Sequence, residues 1–121
     1  DIIASLDADT DCAAGEWASA TAATLKKRSP TLLEVTRRQL SRGGKQTLAE
    51  NFRMELGMVY RCFEHGDLME GIRAVILDKD NAPRWSPSAL ADVRDEEVAT
   101  FFANRWETTP HPLQNLEQLF G

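Results

Sequence analysis

The side chains with the clearest chemical potential in this chain form a basic stretch. Between positions 26 and 45 there are seven basic residues and a single acid, Glu34, although the 121-residue chain carries a net charge of -5. Guanidinium and ammonium groups near a helix end can hold the phosphates of a nucleotide or coenzyme, and the candidates here are Arg37, Arg38, Arg42 and Lys45. The alternative is a solvated helix face, and the basic residues at 26–28 suit a helix C-terminus for dipole reasons alone.

The potential metal ligands are Cys12, Cys62, His65 and His111. Only Cys62 and His65 have ligand-like spacing, which indicates zinc weakly. A buried thiol and two ordinary histidines account for the same set, so we assign no metal ligand. The tripeptide His65-Gly66-Asp67 could exchange protons, but its place at a predicted helix junction favours a cap. We therefore assign no catalytic residue.

Residues 66–80 predict a helix with a defined start, face and end. Gly66 can take the left-handed conformation that closes the preceding helix, Asp67 is a good N-cap, and Glu70 can reach back to the cap amide. The end comes at Asp80-Asn81 and Pro83. The apolar spacing gives one buried face, formed by Leu68, Ile72, Val75 and Ile76. Glu70 and Arg73 are placed for an i, i+3 ion pair. Two small residues allow another segment to approach closely: Gly71 and Ala74.

Two helices are predicted before position 45. Asp11 is placed to cap the first, which runs to about Arg28, with an inner side of Cys12, Ala13, Trp17, Ala20, Thr24 and Leu25. Ser29-Pro30 restarts the chain, and Thr31 and Glu34 are spaced as a capping box. The second helix ends at Gly43-Gly44 and has the face Leu32, Val35, Thr36, Gln39 and Leu40.

A third helix, over about residues 48–64, begins with the capping-box pair Thr47 and Glu50. Its face is Leu48, Phe52, Leu56, Val59 and Phe63. After Trp85, Ser86-Pro87 can begin a single turn through Leu90. Asp95 can then cap a helix that buries Val98, Phe101 and Phe102, with Trp106 as a further candidate. Positions 108–112 form a linker, and a short amphipathic tail contains Leu113, Leu116, Leu119 and Phe120.

No strand-like alternation occurs, so the sequence predicts an all-α fold, a compact array of about five helices. Hydrophobic residues at 42% and charged residues at 27% are typical of one globular domain. The negative charge argues against nucleic-acid binding through bulk charge.

Two cysteines fit free thiols in a reducing compartment, and no apolar run is long enough for a membrane span, so we expect a cytoplasmic protein. The chain lacks an initiator Met, and Ile2, Ile3 and Leu6 need a packing partner, so we expect a part of a longer protein.

The run from Glu70 to Asp80, followed by Pro83 and Trp85, resembles the C-terminal part of 3-hydroxyisobutyryl-CoA hydrolases, which are enoyl-CoA hydratase-like members of the crotonase superfamily. The resemblance continues through His65-Gly66-Asp67 and Arg53-Met54-Glu55. Further matching positions are Trp17-Ala18, Ser29-Pro30-Thr31, Val35-Thr36 and Arg38-Gln39-Leu40. It covers residues 1–103 as a helical C-terminal region, whereas the linker and tail helix of residues 104–121 carry no part of it.

This resemblance implies a larger enzyme that acts on short-chain acyl-CoA thioesters, in valine breakdown if it is a true hydrolase. The superfamily uses two backbone amides as an oxyanion hole, and acidic residues for proton transfer, in a ββα core that this chain lacks. The implied partners are that core of the same protein, the acyl-CoA substrate and a second copy of the chain. No bound cofactor is implied, and Arg37, Arg38 and Lys79 are candidates for contact with CoA phosphates.

Three functions follow as hypotheses. The first is a helical C-terminal region of an acyl-CoA hydrolase or hydratase that packs on the catalytic core and is inactive alone. The second is an independent all-helical protein-interaction module of the same ancestry, suggested by the apolar tail from Leu113 to Phe120. The third is a basic-patch binder of nucleotides.

Overall fold

A computed structural model describes residues 1–9 and 14–120 of the chain. Within these residues all regular structure is helical and no strand occurs, which confirms the all-α prediction. The α-helices are α1 (Ile2–Ala8), α2 (Gly15–Leu25), α3 (Pro30–Gly43), α4 (Leu48–His65), α5 (Asp67–Ile72), α6 (Asp95–Thr100) and α7 (Glu117–Phe120). A π-helical turn at Arg73–Leu77 follows α5, and a 3-10 turn at Leu90–Asp92 precedes α6. In the described ranges no helix combines the length and apolarity that a membrane span requires.

Most predicted helix starts and stops in the first two-thirds of the chain are confirmed. Pro30 is the first residue of α3, which ends at Gly43-Gly44. Thr47 and Glu50 form the reciprocal capping box of α4, and Gly66 closes α4 at a φ of 101°. The proposed cap at Asp11, together with Cys12, lies outside the described residues.

The predicted caps at Thr31 and Asp95 are wrong because another residue occupies the cap position. The hydroxyl of Ser29, not Thr31, accepts the Leu32 amide at 3.2 Å and so begins α3. Asp95 is the first helical residue of α6, not its cap. Its carboxylate is held by Arg38 of α3 instead, which ties these two helices together.

The apolar core lies where α3, α4 and α6 meet. Its fully packed members are Val35, Met58, Val98 and Phe101, with Leu32, Met54, Cys62, Val93 and Phe102 packed around them. The predicted burial of Val98, Phe101 and Phe102 is therefore confirmed. Alanines 18 and 22 of α2 are also buried, and α2 packs on α1.

The predicted buried faces are largely wrong. Four of the five apolar residues assigned to the inner face of α4 are between 42% and 58% exposed: Leu48, Phe52, Val59 and Phe63. The helix instead turns Ala49, Gly57 and Met58 inward. On α2, Ala18 and Ala22 are buried while Trp17 is exposed, and on α3 Leu40 is exposed. Periodicity finds the apolar side of a helix, but it does not say which neighbour covers that side.

Arg53 of α4 attaches the tail to the helical body. Arg53 donates to the carbonyl oxygens of Leu113 (2.9 Å) and Gln114 (3.0 Å), and its guanidinium is paired with Glu117 of α7. The pairing with Arg53 lowers the pKa of Glu117. The predicted amphipathic tail therefore has an identifiable anchor on the helical body.

Candidate functional site

The basic residues chosen from the sequence occupy separate places. The Nε of Arg37 donates to Glu34 Oε2 at 2.9 Å, and Arg38 is paired with Asp95. Lys79 lies in the loop after the π-helical turn, with a positive φ of 56°. Arg37 borders a cleft between α1 and α3, whereas the Lys79 loop borders a different cleft through Asn81. The three cations thus do not line one common cleft in the described residues.

The cleft beside the Lys79 loop is itself basic. It has a volume of about 500 Å³ and is lined by Thr24, Lys27, Arg28, Val75, Asn81 and Pro83. The indole Nε1 of Trp85 donates to the Lys27 carbonyl oxygen at 3.0 Å, which holds the end of α2 against the segment after the π-helical turn. The sequence analysis assigned Lys27 and Arg28 only a favourable interaction with a helix dipole. Lys27 and Arg28 come near residue 81 because Trp85 contacts Lys27, and these two residues lie 58 positions apart in the sequence. A local sequence pattern does not reveal such a contact.

Asp67 is a buried carboxylate that joins three segments. It is 3% exposed, accepts the Ser29 hydroxyl at 2.5 Å, and accepts the Ser86 amide at 3.1 Å. The N-cap prediction for Asp67 is wrong, because Gly66 holds the cap position and Asp67 is the first residue of α5. Its side chain instead links the start of α3, the start of α5 and the segment after Trp85.

Glu70 and Arg73 form the predicted ion pair, with two parallel hydrogen bonds of 2.8 and 2.7 Å. The same guanidinium also binds Asp78 at 2.6 Å and Asp80 at 2.8 Å. Glu70 additionally accepts the Arg84 amide at 2.8 Å. The hydrogen bonds from Arg73, and then that from Arg84, lower the pKa of Glu70 to about 2. The predicted capping box at Glu70 is wrong, since its carboxylate is engaged by these donors.

The predicted helix over 66–80 is regular α-helix only in its first part. Regular α-helix stops at Ile72, the chain widens into the π-helical turn, and the Asp78 amide bonds the Arg73 carbonyl oxygen at 2.8 Å. On the predicted apolar face, Val75 and Ile76 are 59% and 61% exposed, whereas Ala74 is fully buried. The Trp85 ring lies beside Gly71, so the expected close approach occurs at that small residue.

Cys62 and His65 have different surroundings. The Nε2 of His65 lies 2.8 Å from Glu97 Oε1. The His65 ring is tilted by 51° against the Phe101 ring, with 5.5 Å between the ring centres. Cys62 packs against the apolar core, and burial raises the pKa of its thiol. Among the residues the structure describes, no three His, Cys, Asp or Glu side chains are grouped as metal ligands would be.

Residues 1–102 match the family model of enoyl-CoA hydratase/isomerase. The chain belongs to this family, within the crotonase superfamily. It is 45% identical over 78 residues to the mitochondrial 3-hydroxyisobutyryl-CoA hydrolase of Rattus norvegicus, covering 64% of this chain and 20% of that protein. Two Arabidopsis thaliana proteins also match: 3-hydroxyisobutyryl-CoA hydrolase-like protein 5 (35% identity, 84% of this chain, 27% of that protein) and probable 3-hydroxyisobutyryl-CoA hydrolase 3 (34%, 98% and 34%).

The chain thus spans about a fifth to a third of the length of these curated relatives of the hydratase/isomerase family. The match to the second plant protein covers nearly the whole chain, so the likeness extends past Ala103 into the tail. That corrects the expectation that the tail carries none of it. Four residues that carry the resemblance, Glu70, Arg73, Asp78 and Asp80, are the members of the ion-pair network.

Proposed function

We propose that this chain is the helical part of an enzyme that processes acyl-CoA thioesters, and that it works by packing on the part where catalysis takes place. The observation that carries this proposal is the apolar stripe of α4, which we define as Leu48, Phe52, Val59 and Phe63. Soluble monomers rarely leave a large contiguous apolar patch exposed without a partner. A stripe along an 18-residue helix is a suitable surface for another layer of structure.

The total surface supports the same proposal. The accessible area is 8383 Å², about 30% more than the ~6,500 Å² typical of a compact monomer of this mass. A standard protein interface buries about 800 Å² on each partner, so the additional area is large enough for a substantial contact. The Met69 side chain and the apolar residues of the π-helical turn add to the exposed apolar surface.

The names of the relatives support 3-hydroxyisobutyryl-CoA hydrolysis as the reaction of the whole enzyme. The second candidate reaction is the hydration of an enoyl-CoA. Arg37, Arg38 and Lys79 are proposed contacts for CoA phosphates, with Lys27 and Arg28 beside the Lys79 loop as additions from the structure. Catalytic groups are proposed to lie in the core on which the helices pack.

The proposal is tested by replacing the matched segment of the rat hydrolase with this chain and measuring hydrolysis of 3-hydroxyisobutyryl-CoA. Phe52→Glu with Phe63→Glu places two charges on the stripe and is expected to remove most of the soluble, active chimera. Ser41→Glu, at an exposed polar position of α3, is the matched control and should retain activity. Equal activity of the stripe variant and the control would contradict the packing role. It would favour an independent interaction module.

The coenzyme contact needs a separate measurement. Calorimetric titration of the chimera with CoA should show weaker binding after Arg37→Ala/Arg38→Ala, and again after Lys79→Ala. Unchanged affinity in both variants would exclude these residues as phosphate ligands. Because this readout is binding rather than turnover, its failure leaves the packing proposal unaffected.

A further inference from the structure

The loop after the π-helical turn, which we define as residues 78–84, forms part of the wall of the basic cleft. Asn81 and Pro83 of this loop line the cleft together with Lys27 and Arg28 at the end of α2. Among the described residues the lining contains no carboxylate, and the side chains of Lys27 and Arg28 have no ion-pair partner. Both cations are therefore available to an anionic ligand such as a phosphate.

Two residues of the loop have a backbone conformation that residues other than glycine rarely adopt. Lys79 has a φ of 56° and Asn81 a φ of 53°. Residues in this left-handed region persist where the surrounding structure holds them, and they concentrate at functional sites. The Asn81 amide donates to the Ala74 carbonyl oxygen at 2.9 Å, and its side-chain amide donates to the Lys79 carbonyl oxygen at 3.3 Å. These contacts give the loop wall of the cleft a defined shape.

Arg73 holds the loop with all five N–H groups of its guanidinium. Its Nε and Nη2 donate to Glu70 at 2.8 and 2.7 Å. Its Nη1 donates to both Asp78 and Asp80, and Nη2 also donates to the Ala82 carbonyl oxygen at 3.3 Å. A guanidinium has five N–H groups and no acceptor, so Arg73 has no donor left for a ligand. Its three carboxylate partners also carry more charge than it does, so the network itself does not attract a phosphate.

We propose that Arg73 is a positioning residue for the coenzyme contact at the basic cleft. It does not touch the coenzyme but fixes the loop, so that Asn81 and Lys79 meet a phosphate that Lys27 and Arg28 bind. A lysine at position 73 would keep the charge, but its three N–H groups on one nitrogen cannot hold four partners at once. This inference rests on the coenzyme contact advanced under the proposed function.

Calorimetric titration of the full chain with CoA tests the proposal, with pantetheine as a match that lacks the phosphates. CoA should bind the wild-type chain at least tenfold more tightly than pantetheine and should shift the Asn81 amide resonance. Arg73→Lys releases the loop and is expected to weaken CoA at least tenfold.

Arg53→Lys is the matched control for a lost arginine network. Arg53 also binds one carboxylate and two carbonyl oxygens, but it does not line the basic cleft. This variant should lower the melting temperature and change CoA affinity less than twofold. Lys27→Ala/Arg28→Ala should weaken CoA at least tenfold. Adding Arg73→Lys to that double variant should cause little further loss, because Arg73 acts through the same cleft.

Unchanged CoA affinity in Arg73→Lys, or an equal loss in Arg53→Lys, would overturn the proposal. If Lys27→Ala/Arg28→Ala still weakens CoA in that case, the coenzyme contact stands and only the role of Arg73 falls. If CoA binds the wild-type chain no more tightly than pantetheine, the coenzyme contact and this inference both fall. The packing role has its own test in the chimera and is unaffected by these results.

A second variant decides the matter if Arg73→Lys does not fold, as circular dichroism would show. Asp80→Asn removes one ion pair between Arg73 and the loop and leaves the pair with Glu70 in place. It should weaken CoA at least threefold. Unchanged affinity in Asp80→Asn would then overturn the proposal.

Discussion

At the scale of single residues, the buried carboxylate of Asp67 joins three segments that are distant in the sequence. Ser29 and Ser86 lie 38 and 19 positions from it in the sequence, and both donate to it. Two hydrogen bonds to a buried charge hold the starts of α3 and α5 and the segment after Trp85 in one arrangement. Local sequence patterns favour only a capping role for Asp67, because such patterns compare residues within one helical turn and both serines lie much farther away in the sequence.

Replacing Asp67 by Ala should therefore be among the costly polar substitutions in this chain. Two donors lose their acceptor, and hydrogen bonds to a charged group contribute about 1.5–3 kcal/mol each at most. We expect the free energy of unfolding to fall by about 2–4 kcal/mol, measured by urea denaturation. Glu107→Ala, which removes an exposed carboxylate, should change it by less than about 0.5 kcal/mol. A loss for Asp67→Ala as small as the control's would contradict the linking role.

Glu70 gives a prediction about pH. Its pKa falls to about 2 in the folded chain, mainly through Arg73, whereas an unfolded glutamate titrates near ~4.3. A depressed folded pKa means that the stabilisation is present above the unfolded value and is lost as pH falls toward 2. The free energy of unfolding should thus decrease between about pH 5 and pH 2, and Glu70→Gln should flatten part of this decrease.

Urea denaturation at several pH values checks the Glu70 prediction. Glu96→Gln, at an exposed position in the first turn of α6, is the matched control and should keep the slope of the wild-type chain. Parallel pH profiles for wild type and Glu70→Gln would show that the ion-pair network contributes nothing to acid sensitivity.

At the scale of elements, replacing two glycines of α4 and its end by alanine should change the free energy of unfolding in opposite directions. Gly57 lies inside the helix, and a Cβ there would meet the Trp106 ring at 3.6 Å, an ordinary contact. Since glycine in a helix interior costs about 1 kcal/mol relative to alanine, Gly57→Ala should raise the free energy of unfolding by about 0.5–1 kcal/mol. Gly66 has a φ of 101°, so Gly66→Ala should lower it by about 1 kcal/mol or more. Thermal melting of both variants decides this, and a shift of the same sign in both would contradict the assigned backbone roles.

The elements also show what could be predicted from the sequence. Helix starts and stops depend on neighbouring residues, and so the Thr47–Glu50 box, Pro30 and Gly66 were predicted correctly. The inward face of α4 depends on which helices come to lie beside it, and that information is not in its periodicity. The basic cleft and the attachment of the tail could not be predicted for the same reason: Lys27 meets Trp85, and Arg53 meets the tail, through contacts about 60 positions apart.

At the scale of the whole molecule, two phenylalanines distinguish the internal core from the surface that we propose packs on a partner. Phe101 is fully buried, whereas Phe63 on the α4 stripe is mostly exposed. In the chain alone, Phe101→Ala should cost about 3–5 kcal/mol, and Phe63→Ala should change stability by no more than about 0.5 kcal/mol. Denaturation of both variants tests this, and a large loss for Phe63→Ala would show that the stripe is covered within the chain itself.

The extent of exposed apolar surface also has a calorimetric consequence. A domain of this length normally unfolds with a heat-capacity increase of about 1.5–1.8 kcal/mol/K, which arises chiefly from the hydration of apolar groups that folding had buried. Here the stripe of α4 and the apolar residues of the π-helical turn are already hydrated in the folded chain. We therefore expect a smaller increase on unfolding, and a stability of the chain that varies only gently with temperature. If the proposed partner layer covers these residues, its binding should remove that hydration and give the assembled protein the steeper curvature of an ordinary globular protein.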